Sequence, residues 1–592
     1  MNAAACVFLH RIDRNGSLPL MAARFENISA PRPTRESLAA GRDAVLALME
    51  AGAWAQALST MDQDRRDYAR WSALVHLAFS RNTAELEAKA ERSYADSLAP
   101  FAQDCEVTLK RRVLAHPDRA SILPLLAPPY GEHVLALWEA DITTFIPAIA
   151  DDLEQESKLE ADYTELLAAA RLEIGGQTVN LSGLAPYAEH ADRAIRHEAE
   201  TVRWQYFADH GERLDGIYDA LVRLRHGMAR KLGDENFIAL AYRRLRRTDY
   251  GPEDVARYRD AVAEKVTPLV ARLLEARRQE HGWDRLRFWD EALVDPRGNP
   301  KPLGGVEVLG EAAQGLFDAM DAHLPGGDAK GIGACYRLMR AGGFMDLDNR
   351  SGKAGGGFCT SFPTQSDGMP YIFANFTGTH HDIGVFTHEM GHAFQNYASR
   401  TLPGIDLLWP TYEAAEIHSM SLEFLTWPGI GKLVGEDEAE RYRRMHLIQS
   451  LAFLPYGVCV DHFQHEVYAR PDATPAERHA IWRRLEARYM PWTDYGDLAW
   501  PAAGGRWQAK QHIYNSPFYY IDYTLALCCA LQFWVRMRQD YASALTDYVA
   551  LCGRGGAAPF TALARSAGLA SPFSPGALDA VVDEAAKTLG LR

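Results

Sequence analysis

Two histidines four residues apart, with a glutamate directly after the first, stand at His388-Glu389-Met390-Gly391-His392. Four residues is just over one turn of an α-helix, so the imidazoles leave the same face and can share one metal ion. Glu389 lies beside them, where a carboxylate can take a proton from metal-bound water. The lead-in Ile383-Gly384-Val385-Phe386-Thr387 and the following Ala393-Phe394 make this a mostly buried helix. Imidazoles and a carboxylate are costly there unless something satisfies them, and a metal does so. A hydrolytic site of this type needs a third protein ligand and an open position for water. The next helical segment, Thr411 to Leu425, offers Glu413, Glu416, Glu423 and His418. Glu416 and Glu423 are one heptad apart and share a face, and Glu413 lies nearly one turn before Glu416. Spacing leaves Glu413 and Glu416 as rival ligands, with His418 a poorer third choice.

Several flanking stretches could shape a site. Gly355-Gly356-Gly357-Phe358-Cys359-Thr360-Ser361-Phe362 reads as a glycine loop, and Pro370 to Thr379 reads as a strand bounded by turn residues. Downstream, His512-Ile513-Tyr514-Asn515-Ser516-Pro517-Phe518-Tyr519-Tyr520-Ile521-Asp522-Tyr523 places Tyr519 and Tyr523 one turn apart. Aromatic clusters at such spacing are by default core. Asp461-His462-Phe463-Gln464-His465-Glu466 lacks a glutamate in the hydrolytic place and reads as a helix face of ordinary polar residues. His380 and His381 are expected to cap a turn or to be exposed, and Asp382 suits the helix N-terminus. Neither a G-x-x-x-x-G-K-[ST] loop nor a G-x-G-x-x-G fingerprint occurs, so a nucleotide cofactor has no support.

The segment from His388 to His392, followed by Glu416-Ile417-His418-Ser419-Met420-Ser421-Leu422-Glu423, resembles the thimet oligopeptidase family of zinc metallopeptidases. Within that family it looks most like the bacterial oligoendopeptidase F and Pz-peptidase group. The resemblance runs from roughly Met21 to the C-terminus and is densest between 350 and 525. It implies one Zn²⁺ held by His388, His392 and Glu416, with Glu423 orienting a ligand histidine. It further implies that Glu389 activates the water and that Tyr523, assisted by His512, stabilises the oxyanion. Ala374, Asn375 and Phe376 would lie on an edge strand that pairs with the extended substrate. Either Tyr519 or Tyr520 would reach the substrate, and spacing does not choose between them. The implied fold is mainly α: a two-lobed, helical, zincin-like peptidase with a small β-sheet beside the zinc helix and a deep central channel. Such a channel would confine activity to short unfolded oligopeptides, and the activity that the resemblance implies is hydrolysis of their internal bonds. Two other readings stand beside this one. A peptidyl-dipeptidase, as in angiotensin-converting-enzyme-like proteins, matches the segment after Glu416 and the Tyr-rich run less well. In a peptide-binding scaffold with structural zinc, Glu389 would have no use.

Composition sets outer bounds. The 592 residues are 47% hydrophobic and 24% charged, as in a globular protein with a large core. A net charge of −15 argues against nucleic-acid binding. The eight cysteines are scattered with no C-x-x-C pair, which fits reduced thiols in the cytoplasm. The longest apolar run, Thr524 to Val535, is too short to span a bilayer, so no membrane partner is expected. Residues 1–20 read as an extension unlike the rest, with Met21 as the start. A helical N-terminal lobe is expected over 21–200 and a catalytic domain over 201–592. Apolar residues three and four apart predict helices over 36–120, 131–172, 185–232 and 253–282. Leu172 to Leu181 reads as a small hairpin and Pro296 to Gly305 as a loop.

Overall fold

The computed structural model describes residues 23–591 apart from 127–130, 326–330 and 365–367. The N-terminal extension and Met21 lie outside the described residues. The chain is mainly helical and two-lobed. Three long helices open it: α1 (Arg35–Glu50), α2 (Trp54–Arg81) and α3 (Leu86–Leu114). Thr34 and Ser37 start α1 with a reciprocal capping box, each side chain accepting from the other's backbone N–H. These helices close over a small core of their own, with Val45, Leu58, Leu109 and Trp138 at its centre. Arg65 of α2 grips Asp406 through two bonds of 2.7 and 2.8 Å, and the Trp138 indole N–H donates to the same carboxylate. The first lobe is thereby tied to the loop that follows the histidine helix. The predicted hairpin forms as β1 (Leu172–Ile174) and β2 (Gln177–Val179).

A three-stranded sheet lies beside the site: β3 (Met345–Asp348), β4 (Phe358–Ser361) and β5 (Pro370–Phe376), in the order β3-β5-β4. β5 runs parallel to β3 and antiparallel to β4. This corrects the edge-strand expectation for Ala374, Asn375 and Phe376, because β5 is the central strand. Its run Tyr371-Ile372-Phe373-Ala374 is buried throughout, the pattern of a strand covered on both faces. Asn375 instead donates to the carbonyls of Ala354 and Gly356, both at 2.8 Å, and so holds the glycine stretch in place. The outer strand on the glycine side is β4.

Four further helices carry the site: α4 (His380–Ser399), α5 (Tyr412–Leu425), α6 (Ala439–Ala469) and α7 (Tyr520–Met537). Asp382 sits in the first turn of α4 and accepts from the N–H groups of Thr377 and Gly378 at 3.0 and 2.6 Å, as its position predicts. His381 is exposed, but His380 is not: it is bridged by Glu189 at 3.0 Å and Gln449 at 2.8 Å. The Asp461 segment, expected to be a helix face of ordinary polar residues, carries a buried ion pair. Asp461 is fully buried, bonded to Arg259 at 2.5 Å and to His465 at 3.2 Å. Among the described residues no helix is long and apolar enough to cross a membrane.

Candidate active site

Residue 391 decides how close α4 and α5 come. A Cβ at Gly391 would stand 2.5 Å from the His418 carbonyl oxygen and from the Ser419 Cα, so only glycine lets the two helices meet here. That approach brings Glu416 to the two histidines. Its Oε2 lies 3.1 Å from His388 Nε2 and 3.3 Å from His392 Nε2. Bond lengths of about 2.0–2.1 Å to zinc put tetrahedral ligand atoms about 3.3 Å apart, so the three groups fit such an ion. They are the only such group of histidine, cysteine and acidic side chains among the described residues. Of the two rival acids, Glu416 lies with the histidines and Glu413 does not. Glu413 occupies a buried pocket beside Asp522, where burial and that carboxylate push its pKa up to about 8 against the pull of Arg247. His418 is also buried outside the group.

The surrounding bonds orient these groups. His388 Nδ1 lies 2.8 Å from Glu423, whose carboxylate accepts its proton, and Nε2 is the nitrogen that faces Glu416. The other Glu423 oxygen accepts from His446 Nε2 at 2.8 Å, and the Trp427 indole N–H donates to His446 Nδ1. Burial works against charge on Glu423, but the hydrogen bonds of His388 and His446 outweigh it and hold the pKa at about 2. Glu416 is likewise held well below the usual carboxylate range, its burial outweighed by His392 and His388. Its Oε2 also accepts from Ser419 at 2.7 Å, and its Oε1 accepts from the Tyr519 hydroxyl. The roles of His446 and Trp427 are not legible in sequence, because His446 reaches Glu423 from α6 and Trp427 reaches His446 from beyond the end of α5. We expect Glu423→Gln to weaken metal affinity about 10- to 100-fold, as loss of an outer partner does at such sites. Competition with a chromophoric chelator reads this out, and an unchanged dissociation constant would dismiss the role.

Glu389 is 5% exposed, and its Oε2 has no partner among the described residues. Burial raises its pKa, with the two imidazoles acting in the opposite direction. A Cβ at Gly357 would press to 2.9 Å from Val385 and 3.4 Å from Glu389 Oε1, which explains a glycine immediately before β4. On the opposite side, the Tyr523 ring centroid lies 6.4 Å from that of His388, and the Tyr523 hydroxyl is 3.1 Å from His512 Nε2. Burial lowers the His512 pKa to about 3, so the ring is neutral at neutral pH. Burial, then the Glu416 charge, raises Tyr523 well above its ordinary value, so it stays protonated. Tyr519 is engaged with Glu416, whereas Tyr520 packs against Phe453 and Tyr456 under the Lys510 ammonium. Trp409 lies against His392 at 5.6 Å, and with Tyr412, His133 and Arg246 it lines a cavity of ≈ 300 Å³.

A helical body carrying two histidines and a glutamate on adjoining helices, with a free buried carboxylate beside them, defines a metallopeptidase. Comparison with known proteins agrees. The profile of Peptidase family M3 matches residues 335–582, and that of the Peptidase M3 N-terminal domain matches residues 25–145. A solved structure assigned as oligoendopeptidase F is 41% identical, with a TM-score of 0.91, covering 96% of this chain and 99% of that one. PZ peptidase A, solved with an inhibitor, is 39% identical at a TM-score of 0.91 and the same coverage. A protein assigned as oligoendopeptidase F from Bacillus anthracis str. Ames is 35% identical at 0.87, again covering 96% and 99%. No curated protein matches. The chain belongs to peptidase family M3, and it is a metalloendopeptidase.

Proposed function

We propose that this protein is a zinc-dependent oligoendopeptidase that cuts internal bonds of short unfolded peptides, with Glu389 as its general base. The observation that carries this reading is the convergence of His388, His392 and Glu416 at tetrahedral spacing beside a buried carboxylate oxygen with no other partner. A zinc ion there would supply Lewis acidity, polarising the scissile carbonyl and making water nucleophilic near neutral pH. Glu389 takes the proton of the attacking water and passes it to the leaving amine, so no acyl-enzyme forms. With its proton on Nε2, His512 donates to the Tyr523 oxygen and leaves the hydroxyl proton free. Tyr523 gives that proton's hydrogen bond to the carbonyl oxygen as charge develops on it. Glu423 keeps His388 in the tautomer that offers Nε2. The outer edge of β4, in place of β5, is the strand edge open to an extended substrate. The seven cysteines among the described residues are all free thiols, which supports a reducing compartment such as the cytoplasm.

The test is a C-terminally amidated ten-residue peptide, incubated with and without chelator and read by mass spectrometry. Internal cuts that vanish with chelator and return with Zn²⁺ are the expected result. A peptide left intact by metal-loaded protein, beside a free-acid version that loses two residues, would replace this reading with a peptidyl-dipeptidase.

A further inference from the structure

Among the described residues only two positions other than glycine hold a left-handed backbone: Arg246 at φ 54° and Phe518 at φ 66°. Side chains with a Cβ are disfavoured in that region, and such strain persists only where the surroundings over-determine it. One side chain joins the two places. Arg247, adjacent to Arg246 and buried, donates from one terminal nitrogen to the Phe518 carbonyl at 2.7 Å and to Asp522 Oδ1 at 2.6 Å. Gln464 Oε1 accepts from the Phe518 N–H at 2.9 Å, so side chains hold both backbone polar groups of this residue. The Phe518 ring is fully buried among Phe237, Tyr242, His465 and Tyr468. Arg246 is pinned in turn by two bonds to Asp141, of 2.8 and 2.6 Å.

Phe518 immediately precedes Tyr519, the residue before α7, and Asp522 immediately precedes Tyr523. Arg247 therefore grips the first turn of α7 at two points, one just outside the helix and one within it. Successive helical residues are offset by about 100°, so fixing the direction of Asp522 also fixes the direction of Tyr523. We propose that Arg247, through the strained Phe518 carbonyl and Asp522, is a positioning residue that aims the Tyr523 hydroxyl at the reacting carbonyl. The inference rests on the donor role assigned to Tyr523 above. A lysine at 247 keeps the charge but is one bond shorter, so its ammonium falls short of the place where the arginine's terminal nitrogen meets both acceptors.

The test is a double-mutant cycle on the zinc-loaded full chain. Arg247→Lys should lower kcat about 10- to 100-fold, the scale of a small misplacement. KM should stay within about twofold, and metal content should equal that of the wild type. In a Tyr523→Phe background the same substitution should cost less than about twofold, because the group being aimed is already gone. Equal losses in both backgrounds, with Tyr523→Phe itself impaired, would overturn the positioning role and leave the Tyr523 reading standing. Wild-type turnover in Tyr523→Phe would overturn both. Should Arg247→Lys fail to fold, Gln464→Leu removes the acceptor for the Phe518 N–H and enters the same cycle with the same expectation.

Discussion

Glu389→Gln should bind metal as the wild type does and lose turnover by about 10²–10⁴-fold, the usual worth of a positioned general base. The substitution is nearly isosteric, and neither Glu389 oxygen belongs to the ligand group, so the metal-binding geometry stays intact. What changes is the atom facing the reaction. Glu389 Oε2 is buried and free of partners, and an amide there has no basic oxygen to take a proton. Burial also raises the carboxyl pKa, which moves the base closer to the pH at which it works. Metal analysis beside steady-state kinetics separates the outcomes. Metal-replete protein cleaving at the wild-type rate would end the assignment. Lost metal would mean that Glu389 shapes the ligand set.

Much of this site could be read from local spacing, and the remainder depends on contacts between elements. The His388–His392 pair needs only the helical repeat, and Asp382 needs only its place before an apolar helix. The choice of Glu416 over Glu413 needed more than spacing, since both acids lie on nearly the same face of α5. That Glu416 and not Glu413 lies with the histidines depends on how closely α5 meets α4 at Gly391. The β5 strand was legible as a strand but not as a central one, because its parallel neighbour β3 pairs with it from well upstream. His446 and Trp427 escape local reading for the same reason: His446 reaches Glu423 from the separate helix α6, and Trp427 in turn bonds His446. The Asp461 cluster read as ordinary polar residues because its partner Arg259 is remote in sequence. The left-handed Phe518 has no local signature, since phenylalanine adopts that backbone only under tertiary constraint.

Tyr523→Phe should lower kcat about 10²–10³-fold while KM changes little, the behaviour of a donor whose bond strengthens as charge develops on the substrate oxygen. The site leaves few replacements for that hydroxyl. Tyr519, one turn away on the same side, is committed to Glu416, and Tyr520 is packed against Tyr456. His512 is neutral and bonded to Tyr523, so in the mutant its Nε2 faces a ring edge in place of an oxygen. Removing only the hydroxyl keeps the ring that packs at 4.9 Å from Tyr519 and 5.5 Å from Tyr520, so the fold should be unaffected. A tetrahedral phosphinic analogue should lose affinity in parallel with kcat, while an uncleaved substrate-like peptide should bind nearly as before. Equal weakening of both ligands would show that Tyr523 serves ground-state binding, and the oxyanion role would then pass to His512.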